Sequence, residues 1–189
     1  MAVEREAKMQ VSDHEAVRAR LRELGAVPRG AVMEVNSFYD TGDRRLLAAG
    51  EGLRIRHERS LGTGNGAARV TFKGPRQPGL LKTREELEIG VTDGEAMEQV
   101  FERIGFMRVM RFEKRREMFE LERCEVALDE LPRLGRFVEI EGPSEEAVMA
   151  LRERLGLAEF PLLTASYVAM LSHHMSDRDP RPGDVRFGD

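Results

Sequence analysis

Leu53-Arg54-Ile55-Arg56 and Ala68-Arg69-Val70-Thr71-Phe72-Lys73 alternate apolar with mostly basic residues, and Phe137-Val138-Glu139-Ile140-Glu141 alternates apolar with acidic ones. A period of two puts successive side chains on opposite faces of a strand, so each stretch reads as a β-strand with one apolar and one charged face. The same reading extends outward. Glu4, Glu6 and Lys8 share a face, opposite Val3, Ala7, Met9 and Val11, with Arg5 the exception. Arg84, Glu86 and Glu88 share a face opposite Leu87 and Ile89, and Lys114 and Arg116 lie with Phe112 and Met118. An antiparallel sheet with its polar face in water and helices on the other is the ordinary meaning of such alternation. The doublets point further. Like charges two apart on one face repel unless opposite charges, metal ions or a charged ligand face them. If the sheet closes with these faces inward, the hydration lost by each unpaired ion makes function the reason for their presence.

Three strands of this kind run into helices. Ser12-Asp13-His14-Glu15 reads as a capping box before a helix bearing Ala16, Val17, Leu21 and Leu24 and ending at Gly25. Thr92-Asp93-Gly94-Glu95 opens a second helix, with Met97, Val100, Phe101 and Ile104, that ends at Gly105. Ser144 caps a third, with Val148, Leu151 and Leu155, that ends at Gly156. Glu6, Val11, Glu15 and Gly25 recur at Glu86, Val91, Glu95 and Gly105, each shifted by 80 positions. This predicts an internally symmetric α+β domain over residues 1–171. From Ser172 the chain is rich in Asp, Arg, Pro and Gly, so residues 172–189 are expected to form a disordered polar tail.

Composition limits the function. With 189 residues, 41% hydrophobic and 34% charged, the chain suits one folded domain and neither a disordered segment nor a membrane span. A net charge of −4 argues against nucleic acid as a partner. One cysteine, Cys124, rules out an internal disulfide framework and suits a reducing cytoplasm, where the protein is expected. Gly62-Thr63-Gly64-Asn65-Gly66-Ala67 fits a loose dinucleotide pattern, but a strand follows where that motif requires a helix. Gly74 and Gly79 have P-loop spacing, yet Leu80-Leu81 replaces the lysine and hydroxyl that hold a magnesium triphosphate.

The charged faces carry their own chemistry. Lys8, Arg54, Arg56, Lys73, Lys114 and Arg116 suit a compact polyanion, because arginine forks match phosphate oxygens two at a time. Glu4, Glu6, Glu86, Glu88, Glu139 and Glu141, with Asp129 as a further candidate, suit Mg2+ or Mn2+. A metal-bound triphosphate is the simplest ligand that needs both sets.

These residues resemble the CYTH domains, or triphosphate tunnel metalloenzymes, a family of class IV adenylyl cyclases, thiamine triphosphatases and inorganic tripolyphosphatases. The amino-terminal ExExK motif stands as Glu4-Arg5-Glu6-Ala7-Lys8. The match continues through Tyr39-Asp40-Thr41, Leu53 to Arg56, Thr71-Phe72-Lys73-Gly74-Pro75, Arg84-Glu85-Glu86-Leu87-Glu88 and Lys114-Arg115-Arg116, then Leu128-Asp129, Leu134 to Glu141 and Ser166-Tyr167. One departure is Thr164-Ala165 before that last pair, where such proteins often carry a basic residue.

The resemblance implies an eight-stranded antiparallel β-barrel forming an open tunnel, with charged faces inside and helices packed outside. It implies that the six bases, joined by Arg84, bind triphosphate, that the seven acids hold one or two metal ions, and that Lys8 is catalytic. The Thr71 to Pro75 and Leu134 to Glu141 runs look most like the class IV cyclase branch, which converts ATP to cyclic AMP and pyrophosphate. Hydrolysis of the terminal phosphate, and triphosphate binding without turnover, remain the alternatives. Phe38, Tyr39, His57 and Phe137 are candidates to border an adenine, and apolar strand faces left bare by the helices leave room for a homodimer.

Overall fold

β1 (Ala2–Val11) forms the first wall of a closed sheet and runs into α1 (Glu15–Glu23). β2 (Val27–Thr41), the short α2 (Arg45–Ala48), β3 (Gly52–Ser60), β4 (Gly66–Lys73) and β5 (Lys82–Val91) follow, and β5 leads into α3 (Gly94–Arg103). β6 (Phe106–Leu121), β7 (Cys124–Leu131) and β8 (Gly135–Glu141) complete the wall before α4 (Glu145–Arg154), α5 (Tyr167–Ser176) and β9 (Gly183–Val185). The computed structural model describes residues 2–176 and 183–188.

The strand order is β2-β3-β4-β5-β1-β8-β7-β6, and β6 pairs back onto β2, so eight antiparallel strands close a barrel. Closure removes the open sheet edges that would otherwise invite aggregation. The expected α+β barrel with external helices is present, and the strand–helix unit occurs three times, as β1–α1, β5–α3 and β8–α4.

Alternation decides which way each face points. The apolar residues of β1, β7 and β8, among them Met9, Val126, Leu128, Val138 and Ile140, pack outward beneath Val17 and Leu21 of α1, Val148 and Leu151 of α4, and Leu155 at the end of α4. Tyr39, Ile55 and Val70 pack against Phe101 of α3. Much of the hydrophobic core therefore lies between barrel and helices, leaving the charged faces to the interior. Asp93 and Ser144 cap α3 and α4 by accepting from Ala96 N at 2.9 Å and Ala147 N at 3.2 Å. At α1 the expected serine cap is absent: Asp13 Oδ1 accepts from Glu15 N at 2.8 Å, and His14 occupies the cap position.

The disordered tail expected from Ser172 differs from the structure where the chain is described. Residues 172–176 complete α5, and β9 pairs in parallel with Met110 to Phe112 of β6. β7 covers only Arg115 to Leu121 of that long strand, so an edge remains for β9 to pair with. Val185 is buried with Met110, Phe112 and Leu171. One apolar anchor in a polar segment suffices because the site it enters is already built. Residues 177–182 and 189 lie outside the described residues.

Candidate functional site

The barrel encloses a cavity of about 660 Å³. Six of its eight strands contribute expected charged residues. Glu4, Glu6 and Lys8 come from β1, Arg54 and Arg56 from β3, Lys73 from β4, and Arg84, Glu86 and Glu88 from β5. Lys114 and Arg116 come from β6, and Glu139 and Glu141 from β8. The wide sequence separation of these residues is closed by register: Glu4 lies opposite Arg84, Lys8 opposite Glu139 and Lys73 opposite Glu86.

Asp129, expected among the metal ligands, does not line the cavity with them. Its buried carboxylate takes Arg116 Nε at 2.7 Å, Lys114 Nζ at 3.3 Å and the Tyr167 hydroxyl at 3.0 Å. Donors from these three residues hold the carboxylate against the bases.

The remaining charges form alternating pairs. Lys73 contacts Glu86 at 2.8 Å and Glu4 at 3.1 Å, and Lys8 contacts Glu139 at 3.1 Å and Glu6 at 3.2 Å. Arg56 contacts Glu58 at 2.9 Å and Glu88 at 3.2 Å, while Arg116 also meets Glu139. Arg54 donates to Thr71 Oγ1 at 3.1 Å. Arg84 has no ion pair among the described residues, and its Nε is buried without an acceptor.

Positive charge is unevenly compensated. Burial lowers the Lys8 ammonium, but Glu6 and Glu139 outweigh it and raise the group above its usual value, so Lys8 is firmly charged. Burial and then Arg56 lower Arg54, and burial and then Arg116 lower Lys114, against the pull of nearby carboxylates. An added anion relieves these two sites.

Sequence reading missed several contributors. Glu34 is fully buried and reaches Lys114 at 3.1 Å and Arg56 at 3.6 Å. Burial pushes its carboxyl up, but Lys114, Arg116, Arg56 and Arg54 together hold it well below the usual range. Lys82, also buried, meets Glu6 at 2.8 Å, and Asn36, Ser166 and Tyr167 line the cavity. Glu34 and Lys82 stand alone in sequence, but Lys82, Arg84, Glu86 and Glu88 keep a spacing of two that carries Lys82 into the charged face. Lys8 Nζ donates to Ala165 O at 3.4 Å and lies 4.0 Å from the Tyr167 ring, so the segment lacking a basic side chain still contacts a base. Of the aromatic candidates, Phe38 lines the cavity. Tyr39 packs under α3, His57 binds Glu98 of α3 at 3.0 Å, and Phe137 is buried against Tyr167.

The acids suit a hard divalent cation in donor type and crowding. Glu6 lies opposite Glu141 and Glu141 opposite Glu125, one row of carboxylates across three strands. Desolvation, then Glu4, Glu125, Glu6 and Glu86, pushes Glu141 up to about 7, although its exposure at the cavity mouth lets solvent temper the shift. Only added positive charge offsets such a row. Among the described residues no three carboxylates already form a finished metal shell, because most are turned toward lysines and arginines.

Known proteins are similar to this chain in sequence and fold. A Methanocaldococcus jannaschii protein named "Putative adenylate cyclase MJ0240" is 29% identical over 177 residues, covering 89% of this chain and 98% of that protein. The solved structure of PH1819 from Pyrococcus horikoshii OT3 superposes with a TM-score of 0.79 at 27% identity, over 90% of this chain and 99% of that one. HpAC1 from Hippeastrum, described as having a dominant triphosphatase activity, shares the fold at a TM-score of 0.70 and 18% identity, over 92% and 96% of the two chains. No helix among the described residues is long and apolar enough to cross a membrane. The CYTH domain pattern matches residues 2–161, and the chain belongs to the CYTH domain family.

Proposed function

We propose that this chain is a metal-dependent triphosphate-processing enzyme of the adenylyl cyclase type, converting ATP to cyclic AMP and pyrophosphate. The convergence of Arg54, Arg56, Lys73, Arg84, Lys114 and Arg116 on one enclosed cavity, with Arg84 unpaired among the described residues, carries this reading. The six residues donate to phosphate oxygens, and the enclosed wall strengthens each contact by excluding water. Lys8, held charged by Glu6 and Glu139, acts as a further cation and donor and not as a proton acceptor.

Glu4, Glu6, Glu86, Glu88, Glu139 and Glu141 would hold Mg2+ or Mn2+. When bound, the cation neutralises developing charge on the phosphates. Asp129 pairs with Lys114 and Arg116 and fixes their aim. In the cyclase reaction the ribose 3′-hydroxyl gives up its proton to water and attacks the α-phosphorus, the bond to the bridging oxygen breaks, and pyrophosphate leaves on the wall of bases. The name of the Methanocaldococcus relative favours this outcome.

A second reading, attack of water on the terminal phosphorus, uses the same wall. It is favoured by the activity described for the Hippeastrum protein, whose likeness to this chain extends to the fold. A product assay with ATP, thiamine triphosphate and tripolyphosphate, each with Mg2+ and with Mn2+, decides between them. Cyclic AMP with pyrophosphate supports the cyclase. Orthophosphate without a cyclic product sinks it, and binding without turnover leaves a triphosphate-binding module.

A further inference from the structure

The shift of 80 positions that relates β1–α1 to β5–α3 also relates their surroundings, with one exception. Glu6 to Val11 of β1 pair with β8, and Glu86 to Val91 of β5 pair with β4, so β8 and β4 are counterparts. β8 leads into α4, which packs on β1. β4 leads into a loop from Gly74 to Leu81, and no helix there corresponds to α4.

The residues that α4 covers in the first half lie open in the second. Ala7 and Met9 of β1 are 1% and 0% exposed in the core beneath α1 and α4, whereas their counterparts Leu87 and Ile89 on β5 are 48% and 62% exposed. The helices repeat the difference. In α1, Arg20 Nε donates to Arg154 O of α4 at 2.8 Å, and Leu24 packs against the core that holds Val148 and Leu151. The counterparts in α3 are Val100 and at its end Ile104, 45% and 64% exposed. Phe101 turns toward the barrel and Glu98 reaches His57 of β3, which leaves Val100 and Ile104 on the opposite flank, toward β5. One continuous apolar surface results, of the kind that marks a protein interface.

A helix of the length of α4 with an apolar stripe fits this surface, and α3 is such a helix. Both have ten residues. Ala96, Val100 and Ile104 follow one another at intervals of four on its exposed flank. Two copies related by a two-fold axis across α3 lay each α3 on the other's β5, so that every exposed stripe and every open sheet face is covered at once. The helices then run antiparallel, and Glu95 in the first turn of one meets Arg103 in the last turn of the other, opposite charges at both ends of the contact.

We propose that this chain forms a two-fold homodimer in which α3 of each copy takes, on the partner's β5, the place that α4 takes on β1. Leu87, Ile89, Val100 and Ile104 form its centre. The assembly is independent of which reaction the cavity performs.

The test is sedimentation velocity over a concentration series for the wild-type chain, Ile89→Glu, Ile104→Glu and, as a control on the β3–β4 turn, Leu61→Glu. Wild type and Leu61→Glu are expected to sediment as dimers. The other two place an unpaired charge in the apolar contact and should raise the dissociation constant about a hundredfold or more. Ile104 is exposed at the end of α3, so Ile104→Glu keeps the barrel intact even if Ile89→Glu disturbs β5. Glu95→Arg and Arg103→Glu should each weaken the dimer and together restore it, a rescue that the antiparallel contact requires. A monomeric wild type overturns the proposal and leaves this face to a helix of another protein. A dimer that survives Ile104→Glu, or a charge reversal that restores nothing, overturns it by placing the interface elsewhere.

Discussion

The Tyr167 hydroxyl donates to Asp129 Oδ2 at 3.0 Å, behind the bases of the cavity wall, and so ties the start of α5 to the carboxylate that holds Lys114 and Arg116. Burial, then the Asp129 charge, pushes the phenol well above its usual value, so it remains a donor. Asp129→Ala leaves two buried cations short of an anion and is expected to cost about 3–5 kcal/mol in urea unfolding. Tyr167→Phe removes one hydrogen bond and should cost about 1 kcal/mol. Equal, small losses for both would show that Asp129 does not organise the wall.

Arg54 and Arg56 test the wall from the opposite side. Each charge-assisted contact with phosphate is worth about 1.5–3 kcal/mol, so Arg54→Ala and Arg56→Ala should each weaken tripolyphosphate binding roughly 10- to 150-fold. Titration at two salt concentrations checks this. Unchanged affinity in the double variant would refute the assignment of this cavity to triphosphate.

Glu34 competes with phosphate for the same bases. Removing its charge breaks buried ion pairs, and Glu34→Gln is expected to lower stability by about 3–5 kcal/mol. Because its folded value is depressed, the stabilisation it gives is present above the ordinary carboxylate range and fades in acid, as pH falls toward that depressed value. Tripolyphosphate should then raise the melting temperature of the variant more than that of the wild type, since Lys114 and Arg56 are released to it. A smaller rise would mean that Glu34 helps the anion bind.

Glu141 gives the opposite pH dependence. Its folded value of about 7 lies above the ordinary carboxylate value of 4.5, so between these limits the folded chain binds more protons than the unfolded one. Stability from this group is complete below the ordinary value and is lost as pH rises to about 7. Glu141→Gln should therefore stabilise the metal-free protein more at pH 8 than at pH 5, the two values chosen to bracket the transition. Urea midpoints for both forms measure it, and a pH-independent difference would remove the repulsion argument.

Much of this site is written in the period of two. Glu4-Arg5-Glu6-Ala7-Lys8, Leu53-Arg54-Ile55-Arg56 and Phe137 to Glu141 each state which residues share a face, because a strand has only two faces. Once helices claim the apolar faces, the charged faces must share the other side, and the cavity lining follows. What this period does not contain is distance. Lone Glu34 gives no signal until β2 pairs with β3 and β6 and brings Arg56 and Lys114 to it.

The sequence by itself determined the strand faces, the three strand–helix units and the opposed sets of acids and bases, since these depend on local spacing alone. The tertiary structure decided the rest. Asp129 reads in sequence as one more inward acid, and it is β6 and α5 beside it that bring Lys114, Arg116 and Tyr167 onto its buried carboxylate, where donors and not solvent surround it. Val185 reads as part of a polar tail, yet the edge of β6 beyond the end of β7 gives it a partner and a pocket. In both cases the deciding quantity is which polar and apolar atoms remain unmatched after the barrel closes, and only the folded chain fixes that.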